Sequence, residues 1–233
     1  MIRSACWLLM VVFIINAFSK SPDTTEIVFD RDTILKTDLE IPLGSRLIVK
    51  SGVIVKMEGY RTILIRGLVI AEGTRDRPII FSSVDRVRGS AERPTWNGIE
   101  IRGKDAQCRF RHCRFEGAFR NMVWESNPLF DSCEFMGNHY ALYCTKKAVP
   151  HIQNSSFHQN TYAIASDYAA PIVAGNTITN NVVGIFLQIS SSALVGRNSL
   201  FGNQTDIKSE EALGKNTNSF STQYLWELMQ QLF

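Results

Sequence analysis

The sequence lacks a strong excess of charge of either sign. Its 233 residues include 25 Lys and Arg against 22 Asp and Glu, which leaves a net charge of +3. It also has no block rich in Lys and Arg and no aromatic nucleic-acid-binding motif. Binding to DNA or RNA relies on a dense positive surface that contacts the phosphates. The composition therefore predicts a protein that does not bind nucleic acid.

Long apolar runs are missing after the first twenty residues. At the N-terminus, Arg3 precedes an apolar run at residues 5–15, and Ala17-Phe18-Ser19 offers small residues at the −3 and −1 positions of a signal-peptidase site. The run is shorter than the roughly 20 residues that a membrane-spanning helix requires. We therefore expect residues 1–19 to be a cleaved signal peptide. The mature chain would then be secreted or periplasmic and have no membrane span.

Cysteine is scarce, and its spacing excludes the usual metal and haem motifs. Of five cysteines, Cys6 lies in the expected signal peptide, and Cys108, Cys113, Cys133 and Cys144 would remain. They form no CxxC pair, no CxxCH and no Cys/His zinc pattern. We therefore expect no metal and no cofactor. An even number of cysteines in an exported chain still permits disulfides.

The chain does contain a repeat, which covers residues 106–207 with a period of about 21–22 residues. Its most regular apolar column consists of Phe115, Phe135, Phe157, Ile178 and Leu200. A second column lies five residues before these positions: Phe110, Phe130, Ile152, Val173 and Val195. A third lies seven residues after them: Met122, Leu142, Ile164, Ile185 and Ile207. Three apolar columns per turn predict an all-β fold, a right-handed parallel β-helix with three faces.

Polar residues repeat with the same period. Asparagines follow each position of the first column by three residues: Asn138, Asn160, Asn181 and Asn203. Asparagine tolerates left-handed backbone angles, and stacked amides can bond to one another, so this column predicts a ladder at one corner. We assign residues 20–222 to the β-helix. Residues 223–233 have apolar side chains at helical spacing and predict a short amphipathic helix that caps the coil.

Several segments resemble a known group of proteins. They are GSRLIVKSGVIVKM at residues 44–57, AEGT at residues 71–74, PIIFSS at residues 78–83 and WNGI at residues 96–99. Over about residues 30–215, the chain resembles exported bacterial proteins with right-handed parallel β-helix repeats. Their wider, pectate-lyase-like superfamily contains polysaccharide lyases and hydrolases, adhesins and periplasmic maturation factors. The resemblance therefore implies a fold and leaves the activity open.

The catalytic signatures of that superfamily are absent. The sequence has no Asn-Thr-Asp, Gly-His-Gly or Asp-Pro-His-Asp motif, and no dense column of Asp and Glu that could hold Ca²⁺. This absence favours the non-catalytic branch. We therefore expect an exported, non-enzymatic protein that binds a glycan or an envelope partner along one face. A polysaccharide lyase or glycoside hydrolase with a divergent site is the alternative, and an envelope assembly factor is a second one.

One set of residues could support catalysis or binding. Counted from the first apolar column, Glu125 and Asp167 share a position two turns apart, with Lys146 between them. Their backbones would lie about 9–10 Å apart, as an acid and a base flanking a sugar linkage require. An ordinary charged outer face would contain the same residues. A milder hypothesis is a sugar-binding strip built from Trp124, Tyr143 and Tyr168.

Cys113 and Cys133 occupy the same position on adjacent turns. Their Cα atoms would lie about 4.8 Å apart, a distance that a disulfide accepts. Two reduced thiols stacked in the interior are the alternative that we favour, because free cysteine behaves as a small apolar residue and strand geometry does not readily supply the dihedral angle of a disulfide. The sequence leaves both alternatives open.

Overall fold

The computed structural model describes residues 25–85, 91, 93–188 and 190–210. These residues form 24 strands, numbered β1–β24 in chain order, and no helix. Within these ranges, accordingly, there is no helix that could cross a membrane. The expected signal peptide at residues 1–19 and the expected capping helix at residues 223–233 both lie outside the described residues.

The strands belong to three sheets of eight strands each. The first sheet comprises β1 (Glu26–Phe29), β4 (Arg46–Val49), β7 (Leu68–Glu72), β10 (Gln107–Arg111), β13 (Leu129–Asp131), β16 (His151–Gln153), β19 (Ile172–Ala174) and β22 (Leu194–Gly196). The second comprises β2 (Thr33–Leu35), β5 (Ile54–Met57), β8 (Ile79–Ser83), β11 (Cys113–Glu116), β14 (Glu134–Met136), β17 (Ser156–His158), β20 (Thr177–Thr179) and β23 (Ser199–Phe201). The third comprises β3 (Leu39–Ile41), β6 (Thr62–Ile65), β9 (Gly98–Arg102), β12 (Arg120–Trp124), β15 (Tyr140–Thr145), β18 (Tyr162–Asp167), β21 (Val183–Leu187) and β24 (Thr205–Ser209).

The order of the strands shows that the chain winds as a coil. In every sheet each strand pairs with the strand three places later in the sequence, and the pairs are parallel. Each turn therefore contributes one strand to each sheet, and eight turns stack along the axis. The predicted all-β parallel β-helix is confirmed.

The interior is a continuous apolar core shared by successive turns. The first two predicted columns are in register, as the pairs Phe115↔Phe135 and Phe110↔Phe130 show. Rings in the first column stack face to face, with centroids 4.7 Å apart for Phe115 and Phe135 and 4.6 Å apart for Phe135 and Phe157. A single turn cannot bury its own apolar side chains, so this stacking holds the turns together.

The predicted asparagine ladder is also present, at the corner between the second and third sheets. The side-chain Nδ2 of Asn138 donates to Oδ1 of Asn160 over 3.0 Å, and that of Asn160 donates to Oδ1 of Asn181 over 2.9 Å. Nδ2 of Asn181 in turn donates to Oδ1 of Asn203 over 2.9 Å. The first three members are buried. The ladder thus provides partners for backbone groups that the bends would otherwise leave unsatisfied.

The third predicted apolar column requires a correction on one turn. Leu142, Ile164, Ile185 and Ile207 are in register, but Met122 pairs with Tyr143 rather than with Leu142. A bulge causes the difference, because residues 141 and 142 of β15 both lie opposite Asn121 of β12. Met122 therefore belongs to the outer side of the third sheet, and every residue after it in β12 is shifted by one position.

Candidate ligand-binding face

The structure corrects the predicted pairing of Glu125 with Asp167. Thr145 pairs with Trp124 on one side and with Asp167 on the other, so Trp124 and not Glu125 shares a column with Asp167. The bulge in β15 explains the error, since a count from Phe115 and Phe135 misses the extra residue. The carboxylates of Glu125 and Asp167 therefore lie in different columns. The hypothesis of an acid and a base required them to share one.

Glu125 lies instead at the corner that follows the third sheet. Glu125, Lys146 and Tyr168 each come directly after the aligned positions and have positive φ angles of 54°, 54° and 50°. Their side chains are exposed, and Tyr168 retains 54% of its accessible surface. These three residues form a corner column, separate from the strand positions that carry Trp124, Tyr143 and Asp167.

The outer side of the third sheet carries a ladder of aromatic rings. Tyr140, Tyr162 and Val183 are in register on successive turns. The rings of Tyr140 and Tyr162 stack with centroids 4.7 Å apart and an interplanar angle of 10°. The rings of Tyr162 and Phe186 also stack, with centroids 5.5 Å apart. Because the rings cover one another's faces, they present their edges and the tyrosine hydroxyl groups outward.

These residues pack as a small cluster outside the main core. Ala165, Val183 and Phe186 are buried there, although their side chains lie on the outer side of the sheet. Tyr140, Tyr143 and Tyr162 cover them. A satellite cluster of this kind holds its aromatic side chains rigidly, because each ring is fixed by its neighbours. We call the outer side chains of β12, β15, β18 and β21 the aromatic face.

Cationic side chains cover the ring faces that the ladder leaves free. The guanidinium carbon of Arg102 lies 5.2 Å from the ring centroid of Trp124, and Nζ of Lys146 lies 5.7 Å from it. At the far end, Nζ of Lys208 lies 4.8 Å from the ring of Phe186. Such cation–π contacts stabilise by about 0.5–1 kcal/mol at exposed sites. The aromatic face therefore combines rings with positive charges.

Tyr143 and Asp167 provide a polar contact at the centre of the face. The Tyr143 hydroxyl donates to Oδ2 of Asp167 over 3.2 Å. Burial raises the pKa of Tyr143, and the neighbouring Asp167 carboxylate raises it further. The hydroxyl therefore keeps its proton at neutral pH and orients the carboxylate. No group of the described residues donates to the second oxygen of Asp167, which can therefore accept a hydrogen bond from a ligand.

Arg120 begins β12 at the edge of this face. Its guanidinium carbon lies 5.9 Å from the ring centroid of Phe119 and 5.6 Å from that of Tyr143. By contrast, Arg102 forms an ion pair with Glu100, in which Nη2 and Oε2 are 2.7 Å apart. No ion pair involves Arg120 within the described ranges. The two arginines therefore differ in whether their charge is neutralised.

The four cysteines of the described part are all free and buried. Cys113 and Cys133 lie at equivalent positions next to the pair Arg114↔Glu134. The Cys113 thiol donates to the carbonyl of Ala71 over 3.2 Å, and the Cys133 thiol donates to that of Phe110 over 3.4 Å. Burial raises the pKa of Cys113 well above its usual range. Both thiols lie away from the aromatic face.

The structure brings together Trp124, Tyr143 and Asp167 from the predicted set. It leaves Glu125, Lys146 and Tyr168 at the corner, where Lys146 still reaches the Trp124 ring. Sequence reasoning missed Arg120, Tyr140, Tyr162 and Phe186. The first three stand five residues after the positions of the first apolar column, so that column would have identified them. No group of three potential metal ligands occurs in the described ranges.

Comparison with known proteins identifies the repeat. A family model described as a right handed beta helix region matches residues 121–221. Searches of curated proteins and of solved structures found no match. The matched residues include the turns that carry most of the aromatic face and the whole asparagine ladder. The three parallel sheets show a parallel β-helix, and this match over residues 121–221 supports a right-handed β-helix repeat protein.

Proposed function

We propose that this protein binds a polysaccharide, without cleaving it, along the aromatic face of its third sheet. The observation that carries the proposal is the rigid ladder of Tyr140, Tyr162 and Phe186, which runs along the axis of the coil beside Trp124. The edges of these rings offer apolar contact to a sugar, and tyrosine adds a hydroxyl group to the same side chain. Both kinds of contact suit a carbohydrate.

The charges on the face favour a polar ligand over a protein partner. Interface cores between proteins are depleted of charged residues other than arginine. By contrast, Asp167 lies within the aromatic face, and Glu100, Lys146 and Lys208 lie beside its rings. A dry protein interface would have to desolvate these groups at a large cost. A hydroxylated polymer can hydrogen-bond to them and leave them partly hydrated.

The dimensions of the face favour an extended ligand. The aromatic residues lie on the four successive strands β12, β15, β18 and β21. Because neighbouring strands are about 4.8 Å apart, the face extends for about 14 Å along the axis. This length accommodates several sugar units side by side with the turns. An extended polymer therefore matches the length of this surface.

A polysaccharide panel with matched variants tests the proposal. The full chain is assayed by affinity electrophoresis in gels that contain neutral or acidic polysaccharides. We expect retardation by at least one polymer, and we expect Trp124→Ala and Tyr162→Ala to weaken it. Phe201→Ala is the matched control, because Phe201 is an aromatic residue on the second sheet that is 59% exposed. No retardation of the wild-type protein by any polymer would refute the proposal.

Tyr168→Ala measures how far the binding face extends. This residue belongs to the corner column, so we expect its removal to affect binding less than the removal of Trp124. An equal loss would show that the ligand also covers the corner.

The same panel tests the proposed lack of cleavage. Incubation should release no reducing ends and no unsaturated product, because Glu125 and Asp167 do not share a column. Cleavage that Asp167→Asn or Glu125→Gln abolishes would replace the binding proposal with the lyase or hydrolase alternative.

We propose in addition that the protein is exported. Support comes from Arg3, the apolar residues 5–15 and the Ala17-Phe18-Ser19 site. N-terminal sequencing of the protein recovered from the periplasm or medium should begin near residue 20. Retention of an uncleaved chain in the cytoplasm would contradict this proposal.

A further inference from the structure

We propose that Arg120 makes the aromatic face selective for an anionic ligand by binding a carboxylate, sulfate or phosphate group with its guanidinium. This inference rests on the proposed polysaccharide binding and specifies the chemical class of the polymer. It assigns a specificity role to Arg120, which the sequence did not single out.

The first observation is that the guanidinium has no hydrogen-bond acceptor and no ion-pair partner among the residues that the structure describes. Nε of Arg120 is buried and has no hydrogen-bond partner. Nor does any residue of the described ranges accept a hydrogen bond from its other two nitrogens or form an ion pair with it. A guanidinium carries five N–H donors, and leaving buried donors unsatisfied is unfavourable. Other arginines of the coil are paired, as Arg102 with Glu100 and Arg111 with Asp131 show.

The second observation is that its surroundings hold the guanidinium in a defined place. The rings of Phe119 and Tyr143 both lie within 6 Å of it, at 5.9 Å and 5.6 Å. Aromatic rings that lie over a guanidinium leave its N–H edge free for hydrogen bonds in its own plane. The cation is thus positioned by rings and not neutralised by a carboxylate.

The third observation is the close approach of two backbones, which fixes the main chain of Arg120. Gly98 begins the neighbouring strand β9 and lies against Arg120, where a Cβ at position 98 would be 2.1 Å from the Arg120 carbonyl oxygen. The backbone therefore requires glycine at position 98, and this glycine is buried against the Arg120 main chain. On the other side stands Tyr140, one turn further along the column.

The charge of Arg120 acts on three tyrosines. Burial raises the pKa of Tyr60, Tyr140 and Tyr143, and the positive charge of Arg120 opposes that rise in each of them. Tyr60 is 56% exposed. The positive charge of Arg120 thus acts on three neighbouring tyrosines. A planar anion can accept two parallel hydrogen bonds from arginine, and the hydroxyl groups can contact its sugar ring.

A set of dextrans with one backbone tests the proposal. The full chain is titrated with dextran, carboxymethyl-dextran, dextran sulfate and phosphorylated dextran, and the neutral and acidic polymers of the polysaccharide panel are included as independent ligands. We expect anionic polymers to bind more tightly than neutral ones. We expect Arg120→Gln to weaken the anionic complexes by about tenfold or more. Ranking the affinities for the carboxymethylated, sulfated and phosphorylated dextrans identifies which anionic group the protein prefers.

Two further variants separate a specific role from general electrostatics and from loss of structure. Arg120→Lys keeps the charge but loses the planar donor pair, so we expect an intermediate affinity. Lys104→Gln removes one charge from an exposed turn outside the face and should change affinity less than about twofold. Circular dichroism and a urea titration confirm that each variant remains folded.

The outcomes distinguish this inference from the proposal on which it rests. Equal binding of neutral and anionic polymers, unchanged in Arg120→Gln, would overturn the inference and leave polysaccharide binding intact. An equal loss in Arg120→Gln and Lys104→Gln would also overturn it. Absence of binding to every polymer would overturn both. The inference is supported if Arg120→Gln lowers the affinity for the anionic polymers and leaves the affinity for the neutral polymers unchanged.

Discussion

The asparagine ladder offers a sharp test of what stabilises the coil. Asn160 lies in the middle of the ladder and is buried, with 2% of its surface accessible. Its Oδ1 accepts hydrogen bonds from the backbone N–H of Asn138 over 2.9 Å and from the Asn138 side chain over 3.0 Å. Its Nδ2 donates to the carbonyl of Phe135 over 3.0 Å. The substitution Asn160→Ala removes all of these contacts at once.

The expected loss of stability follows from which groups are left without a partner. The Asn138 side chain retains its bond to Phe115, and the Asn181 Oδ1 retains the backbone N–H of residue 160. The backbone N–H of Asn138 loses the acceptor at Asn160, and the Phe135 carbonyl loses one donor. Each such buried group costs about 1–3 kcal/mol, so we expect Asn160→Ala to lower the free energy of unfolding by about 2–4 kcal/mol. This is a large part of the total for most domains.

Urea unfolding followed by circular dichroism measures this loss, with Asn203→Ala as the matched control. Asn203 has an equivalent position in the ladder but is only half-buried, so water can replace its side-chain oxygen. We expect the control to lose about 1 kcal/mol or less. Equal losses in the two variants, or a loss below about 1 kcal/mol for Asn160→Ala, would refute the reasoning. A smaller slope of the free energy of unfolding against urea concentration would indicate that the coil unfolds in two parts.

Three further predictions concern other parts of the coil. Gly98→Ala should destabilise the protein by about 1–3 kcal/mol in the same urea assay, because φ is +126° there and a Cβ would meet the carbonyl of the next turn; an unchanged midpoint would contradict this. The hydrogen bond from His158 lowers the pKa of Glu134 below its usual value of 4.5, so its stabilising effect is present above about pH 4.5 and is lost as pH falls through the lower folded value. Glu134→Gln should therefore show a shallower loss of stability on acidification, and identical pH profiles would argue against it. Cys113 and Cys133 should resist a thiol reagent in the native state and each take up one alkyl group in non-reducing urea, because both are free and buried; mass spectrometry of a disulfide-linked peptide would show the oxidised alternative instead.

Much of the fold could be predicted because the residues that build the coil repeat. Side chains such as Phe135 and Asn160 meet their equivalents on adjacent turns, so each position is specified once per period of about 21–22 residues. The interior tolerates only apolar groups and amides whose hydrogen bonds are satisfied. The inward positions are therefore restricted to these residue types, and the restriction is visible in the sequence as a repeat. Two of the three apolar columns and the ladder were confirmed in full.

The candidate site could be predicted only in part, because binding residues do not repeat in this way. Trp124 and Tyr143 were identified as separate aromatic residues. Their arrangement depends on the bulge opposite Asn121, which a count of residues does not reveal. A shift of one residue moves a side chain to the opposite side of a strand. The pairing of Glu125 with Asp167 was wrong for that reason.

The sequence by itself determined that this chain winds into a coil with three faces, since its period and its buried columns are consequences of stacking. Only the tertiary structure decided which outer side chains lie together. The packing of Tyr162 against Phe186 and the contact of the Arg120 guanidinium with the Tyr143 ring depend on the register of strands some twenty residues apart. That register is fixed by hydrogen bonds between turns and by one bulge. The outer surface of the coil, where a ligand would bind, therefore had to be read from the folded chain.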